Sequence, residues 1–209
     1  TMDNRKTNKI IISIVTHNSR DIFKTLDHLE KEIGEDPRFE VKIFDNNSKA
    51  EYIAKMQDYP FVTVISANEN LGFGHGHNQL LMNATQEYGF ICNPDILVTK
   101  ESIEGLLKRI QENEAAVVVP QVLNEDGSIQ YLVRKRLAVF DYFLRFIPFH
   151  WVKKVFKKRL SAYECRDLPQ DQTSYIRMGS GCFMLVEIAR FKEIGGFDEQ
   201  FFMYFEDND

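Results

Sequence analysis

Cysteine is scarce: Cys92, Cys165 and Cys182 are the only three in 209 residues. They are too scattered to frame a disulfide scaffold or a CxxC metal site, and this usage fits a reduced, cytoplasmic compartment. Long apolar runs are missing as well. The stretch 10–15 is far shorter than the roughly 18 residues that a membrane span needs, and the polar segment before it does not read as a secretory leader. Glycine (11) and proline (6) are no more frequent than in ordinary proteins, which excludes collagenous and low-complexity chains. Net positive charge is absent, with 26 Lys+Arg against 31 Asp+Glu. What remains is 44% hydrophobic and 27% charged, the composition of a globular protein long enough to bury one sizeable core.

The apolar residues alternate between two patterns. Short β-branched or aromatic runs at 9–16, 39–44, 61–66, 89–92 and 115–119 read as strands. Helices are expected over 20–34, 49–58, from the glycine-rich stretch 68–78 to about 88, and over 101–113. Asn18 or Ser19 is placed to cap the first of these. A turn is expected at 124–127, then a strand over 181–186 and a helix over 187–194. Strand and helix in alternation predict an α/β fold with a mostly parallel central sheet, in which ligands bind at the carboxyl ends of the strands. The polar clusters fall at those ends: Thr16-His17-Asn18, Asp45-Asn46-Asn47, Asn68–Asn78 and Asn93-Pro94-Asp95.

Charge is distributed unevenly. Residues 131–160 hold nine basic side chains and one acidic, Asp141, for a local +8, while the rest holds 17 basic and 30 acidic, for -13. Eight of the 26 aromatic residues, including Trp151, lie in the same stretch. It reads as a basic, aromatic helical insertion within one continuous domain. Two roles fit it: a solvated helical face, or a peripheral membrane contact in which cations meet anionic lipid and aromatics enter the interface. Binding to nucleic acid does not fit, because the acidic remainder would repel it.

Asp45 and Asp95 at strand ends suit two tasks. One is accepting hydrogen bonds from a ribose or base; the other is holding Mg²⁺ or Mn²⁺ with phosphate oxygens completing the sphere. The plain alternative is that each caps a turn. Gly72-Phe-Gly-His-Gly76 lacks the G-x-G-x-x-G spacing of a dinucleotide fingerprint, although its glycines permit close backbone approach to a ligand. His75 and His77 are assigned surface or supporting roles rather than metal ligation. Glu206-Asp207, after an aromatic run, is a candidate source of a general base.

Taken in order, Ile-Val-Thr-His-Asn, Phe-Asp-Asn-Asn-Ser, Asn70-Leu-Gly-Phe-Gly, Asn93-Pro-Asp95, Gly179-Ser-Gly-Cys-Phe-Met and Gly196-Phe-Asp-Glu…Tyr-Phe-Glu-Asp resemble the family 2 glycosyltransferases of the GT-A fold, and within them the bacterial rhamnosyltransferase-type enzymes. The resemblance implies a three-layer GT-A sandwich across 1–209 and inverting transfer of a sugar from a nucleotide-sugar donor to a glycan or lipid-linked acceptor. Cell-surface polysaccharide synthesis at the inner face of the plasma membrane is the implied setting. Thr16, His17, Asn18, Asp45, Asn47, Asn70, Gly72, Asn78 and Asn93 would surround the nucleotide-sugar. Asp95 would hold Mg²⁺ or Mn²⁺ in the place of the family's D-x-D, with Asn93 replacing the first acid. Asp207, with Glu206 beside it, would be the base. The family continues past this acidic motif, so the sequence is expected to lack the C-terminal part of such an enzyme. The competing enzyme class is a sugar-phosphate nucleotidyltransferase, but His17-Asn-Ser-Arg20 lacks the glycine-rich basic loop which that chemistry uses.

Overall fold

The computed structural model describes residues 9–133, 157–166, 168–169 and 172–202. The basic stretch 134–156 and the acidic pair Glu206 and Asp207 lie outside the described residues.

The described residues form two compact units, one of those within 9–120 and 181–202, the other of those within 121–180. In the first unit, seven buried residues, Ile10–Thr16, form β1, and Asp21–Ile33 form α1. Then come β2 (Phe39–Asp45), α2 (Ala50–Gln57), β3 (Val62–Ser66), α3 (Phe73–Leu81), β4 (Tyr88–Cys92), α4 (Lys100–Glu112) and the two-residue β5 (Val117–Val118). In the second unit, β6 (Val122–Leu123) and β7 (Ile129–Gln130) pair as a hairpin around Gly127, at φ 80°. The expected turn at 124–127 is therefore present, closed by Gly127 N–H on the Asn124 carbonyl at 2.9 Å. Helix α5 (Lys157–Tyr163) belongs to the same unit. The chain returns to the first unit with β8 (Phe183–Glu187) and α6 (Ile188–Glu193).

The six-stranded sheet has the order β3-β2-β1-β4-β8-β5, with β1 to β4 parallel and β8 antiparallel to β4. This is the expected mostly parallel α/β sheet. Residues of β1 alternate between two apolar layers. Ile10, Ile12 and Ile14 pack with α1 and α4, while Ile11 packs with α3 and α6. A parallel strand covered on both faces must be apolar on both, which explains a run interrupted only by Ser13. The connections leave β1 in one direction to β2 and β3 and in the other to β4, so strand order reverses between β1 and β4. A crevice for ligands opens at the carboxyl ends of strands at such a switch.

Two local expectations are corrected. Neither Asn18 nor Ser19 caps α1: Arg20 occupies that position without a side-chain cap, and the Asn18 carboxamide oxygen accepts from Lys49 N–H at 2.9 Å instead. Helix α3 begins inside the glycine-rich stretch, at Phe73, and ends at Leu81 rather than near 88. The stretch is less a loop than the first turn of a helix.

Candidate functional site

Two strand-end loops are fastened side by side. Thr16 and Asp45 are register partners at the ends of β1 and β2. Beyond them His17 Nδ1 donates to the Asn46 carbonyl at 2.6 Å, which fixes the proton on Nδ1, and Asn18 Nδ2 lies 3.2 Å from Nε2. Asn18 N–H donates to Ser48 Oγ at 2.7 Å. Asn18 and Asn47 have φ of 51° and 61°, left-handed values that asparagine adopts more readily than most residues. Asp45 is fully buried, and its carboxylate accepts from Ser48 N–H at 3.1 Å. That is the turn-capping arrangement. Thr16 Oγ1 is buried with no partner among the described residues.

Asn46 is the organiser of this end of the sheet. Its N–H donates to the Thr16 carbonyl at 2.8 Å, its Nδ2 donates to the Gly72 carbonyl at 3.0 Å, and its Oδ1 accepts from Leu71 N–H at 3.1 Å. One buried amide thus joins the ends of β1 and β2 to the glycine-rich turn. Sequence reading placed Asn46 in a polar cluster without giving it a role; its place between two better matched residues, Asp45 and Asn47, obscured it.

The turn entering α3 is engaged by the chain's own segments. Asn70 Oδ1 accepts from Gly72 N–H at 3.1 Å. Gly72 has φ 91°, and a Cβ there would run into the carbonyl oxygen of Phe202. A Cβ on Gly76 would stand 2.7 Å from Val15 Cγ2. The absence of a Cβ at Gly72 and Gly76 allows close packing against Phe202 and Val15. Asn78 donates both amide protons, to the Phe197 carbonyl at 2.8 Å and to Glu199 Oε1 at 3.0 Å, and accepts from Phe197 N–H at 2.9 Å. Both donors of this amide are thus committed to the chain itself.

Of the two roles expected for His77, surface or supporting, burial removes the first. His77 is completely buried, shares a 2.7 Å hydrogen bond with Ser13 Oγ, and lies edge-on to Phe73. Burial pushes its pKa down to about 3. The signal in the sequence was Ser13 itself, one hydroxyl in an otherwise apolar strand. His75, by contrast, pairs with Glu199 Oε2 at 2.8 Å near the surface. The hydrogen bonds from Asn78 and His75 hold the Glu199 carboxyl below its usual range.

The loop after β4 is arranged differently. Asn93 N–H donates to the Cys182 carbonyl at 2.8 Å, which anchors the backbone. Asp95 is exposed, with no hydrogen bond or ion pair to its carboxylate among the described residues. No group of three metal-ligating side chains occurs among the described residues. Asp95 and the Asn93 amide still offer hard oxygen donors of the kind Mg²⁺ or Mn²⁺ takes, and such ions complete their shells with water and phosphate oxygens. Burial raises the Cys92 thiol far above its ordinary value and makes it an inert core group.

Comparison with known proteins gives a consistent result. A family model described as glycosyl transferase family 2 matches residues 11–188. The chain is 25% identical over 209 residues to rhamnosyltransferase WbbL of Escherichia coli (strain K12), covering 96% of this chain and 74% of that protein. It is 26% identical over 170 residues to the N-acetylglucosaminyl-diphospho-decaprenol L-rhamnosyltransferase of Mycobacterium tuberculosis (strain ATCC 25618 / H37Rv), covering 75% of this chain and 54% of that protein. Among solved structures, it superposes with a TM-score of 0.60 and 16% identity on the mannosyltransferase PcManGT from Pyrobaculum calidifontis, in complex with GDP-Man and Mn²⁺, covering 96% of this chain and 49% of that one. Staphylococcus aureus TarS 1-349 in complex with UDP gives a TM-score of 0.60 at 18% identity, covering 96% of this chain and 53% of that one. These structural likenesses establish the GT-A type of fold. The chain thus spans about half the length of several relatives.

Proposed function

The chain belongs to glycosyl transferase family 2, and from that premise we propose that it forms the donor-binding part of an inverting enzyme moving a sugar of the rhamnose class from a nucleoside diphosphate to a glycan or lipid-linked acceptor in cell-surface polysaccharide synthesis. The observation that carries the reading is the exposed Asp95 carboxylate beside Asn93, at the carboxyl end of β4 next to the switch in strand order. Two relatives named as rhamnosyltransferases support the sugar, and the diphospho-decaprenol in one name supports a lipid-linked acceptor.

Asp95, helped by the Asn93 amide, would hold a divalent cation; the complex of PcManGT with Mn²⁺ supports this choice. When bound, the cation supplies charge neutralisation at the diphosphate as it departs. Thr16, with its unpartnered buried hydroxyl, and the His17-Asn18 and Asn47 turns would border the nucleotide. The Asp45 carboxylate would act indirectly, by fixing Ser48 and so the turn. Asp207, with Glu206 beside it, would take the proton from the acceptor hydroxyl as its oxygen attacks the anomeric carbon, and the sugar–phosphate bond breaks in the same displacement.

The basic stretch would bring the acceptor lipid near. Lys157 and Lys158 are exposed on α5, and no helix among the described residues is long and apolar enough to cross a membrane. Binding to vesicles containing anionic lipid should fall when Lys153, Lys154, Lys157 and Lys158 are neutralised; unchanged co-sedimentation removes the membrane role. For the reaction itself, transfer from a panel of nucleoside diphosphate sugars to a lipid-linked glycan should drop about 10²- to 10⁴-fold in Asp207→Asn with donor binding intact. Near-normal transfer in that variant would remove Asp207 as the base.

A further inference from the structure

The last described residues, 195–202, are bound to α3 at three points, although the two segments are more than a hundred residues apart in sequence. At the first, the Phe202 carbonyl accepts from Phe73 N–H at 3.2 Å. Phe73 is the first residue of α3, so its N–H has no partner inside the helix, and Phe202 supplies one. At the second, the Asn78 side chain pairs with both backbone groups of Phe197 in the manner of a strand neighbour. Gly196, at φ 77°, is the only residue type that fits beneath it, since a Cβ there would collide with Asn78 Oδ1. At the third, Glu199 bridges Asn78 and His75. Phe197 meanwhile packs on Phe73 and Phe191, with ring centroids 5.8 and 5.4 Å apart.

The fastening is continuous with the donor side. Gly72, which touches Phe202, is held through its carbonyl by Asn46, and Asn46 is bonded to Thr16 and His17. A path of hydrogen bonds therefore runs from the end of β1 to Phe202, four residues before Glu206. Asn78 lies beside this path, 6% exposed, and holds the same segment at Phe197 and Glu199 with both protons of its amide nitrogen used.

We propose that Asn78 is a positioning residue: its amide, with Gly72 and the His75–Glu199 pair, fastens residues 196–202 to α3 and so sets where the chain enters the acidic segment at Glu206 and Asp207. This rests on the reading that the acidic pair supplies the base. It assigns Asn78 to turnover and not to donor affinity, the opposite of a nucleotide contact. A base carried on an unfastened segment is misplaced, and small misplacements of reacting groups reduce rate steeply.

The test compares the unaltered chain with Asn78→Ala and, because that buried change can impair folding, with Glu199→Ala at the surface. Hydrogen exchange reads the fastening without any substrate. Amide exchange at Phe73 and Phe197 should accelerate at least tenfold in Asn78→Ala and about threefold in Glu199→Ala, while β1 amides stay protected; unchanged exchange at both positions overturns the fastening. Kinetics then read the consequence, using the nucleoside diphosphate sugar that the unaltered enzyme accepts. At saturating donor, kcat should fall at least tenfold in Asn78→Ala and less in Glu199→Ala, with donor KM within twofold. A raised KM with kcat unchanged overturns the proposal and returns Asn78 to the donor site. Asp207→Asn, measured alongside, separates the two readings: if it retains activity the base assignment fails, and the exchange data still decide whether Asn78 fastens the segment.

Discussion

Two of the strand-end loops began as equals in the sequence and are opposites in the structure. The turn after β3 and the helix α3 that follows carry Asn70, Gly72 and Asn78, all matched to a nucleotide-binding motif, and each is engaged by the chain itself. The loop after β4 has its backbone anchored at Asn93, yet it leaves the Asp95 carboxylate in solvent. Polar residues at the end of a parallel sheet therefore divide into those engaged by the chain itself and those left open to solvent. Spacing does not separate the two groups; hydrogen-bond occupancy does.

Changes on the open side should have the largest effect on transfer. Asp95→Asn should reduce transfer by about 10²-fold, the scale of losing one electrostatic contact to developing charge. The melting temperature should hardly move, because an exposed side chain without partners costs within about 0.5 kcal/mol. A large loss of stability would mean that Asp95 is structural after all. The engaged side should behave in reverse. Asn46→Ala removes the partner of Leu71 N–H and leaves the Gly72 carbonyl only the longer bond from Gly76 N–H at 3.4 Å, a cost of about 1–3 kcal/mol visible as a lower urea midpoint. Glycine substitution sharpens the same contrast. Gly76→Ala should destabilise by about 1–3 kcal/mol through overpacking on Val15 and Phe44. Gly105→Ala, exposed in α4 with open space around it, should stabilise by about 0.5–1 kcal/mol.

The buried Ser13–His77 pair adds a pH signature. His77 titrates near 3 in the folded chain against 6.5 ordinarily, so between those values the unfolded chain takes up a proton that the folded one refuses. Stability contributed by this group is complete above 6.5 and is lost as pH falls toward 3, with a slope of about 1.4 kcal/mol per pH unit. Denaturant midpoints measured across that range should show the decline, and His77→Gln should flatten it.

Much of the fold was legible because parallel strands buried on both faces are largely apolar, as β1 and β4 are, while β2 places Glu40 and Lys42 between apolar residues and still reads as a strand by alternation. The last strands were harder. Residues 115–119 read as a strand, but only Val117–Val118 pair, at the sheet edge where burial is partial and the apolar signal weak. In the site, the positions of Thr16, Asp45 and Asn93 at strand ends follow from the strand boundaries alone. The partners of Asn46 and Asn78 do not, because they lie 25 and 119 residues away from Leu71 and Phe197, and no local pattern encodes such a bond. The burial of His77 is hidden for a related reason: its neighbours Ser13 and Phe197 are both distant in sequence.

Thermal unfolding with Mn²⁺ and a panel of nucleoside diphosphate sugars tests the division between open and engaged loops most directly, since a ligand that binds only the folded chain raises its melting temperature. The unaltered chain and Asn78→Ala should both be stabilised by the same sugar nucleotide when Mn²⁺ is present, and Asp95→Asn should lose the Mn²⁺-dependent part of that shift. A full shift in Asp95→Asn, with none in a folded Asn78→Ala, would contradict the account.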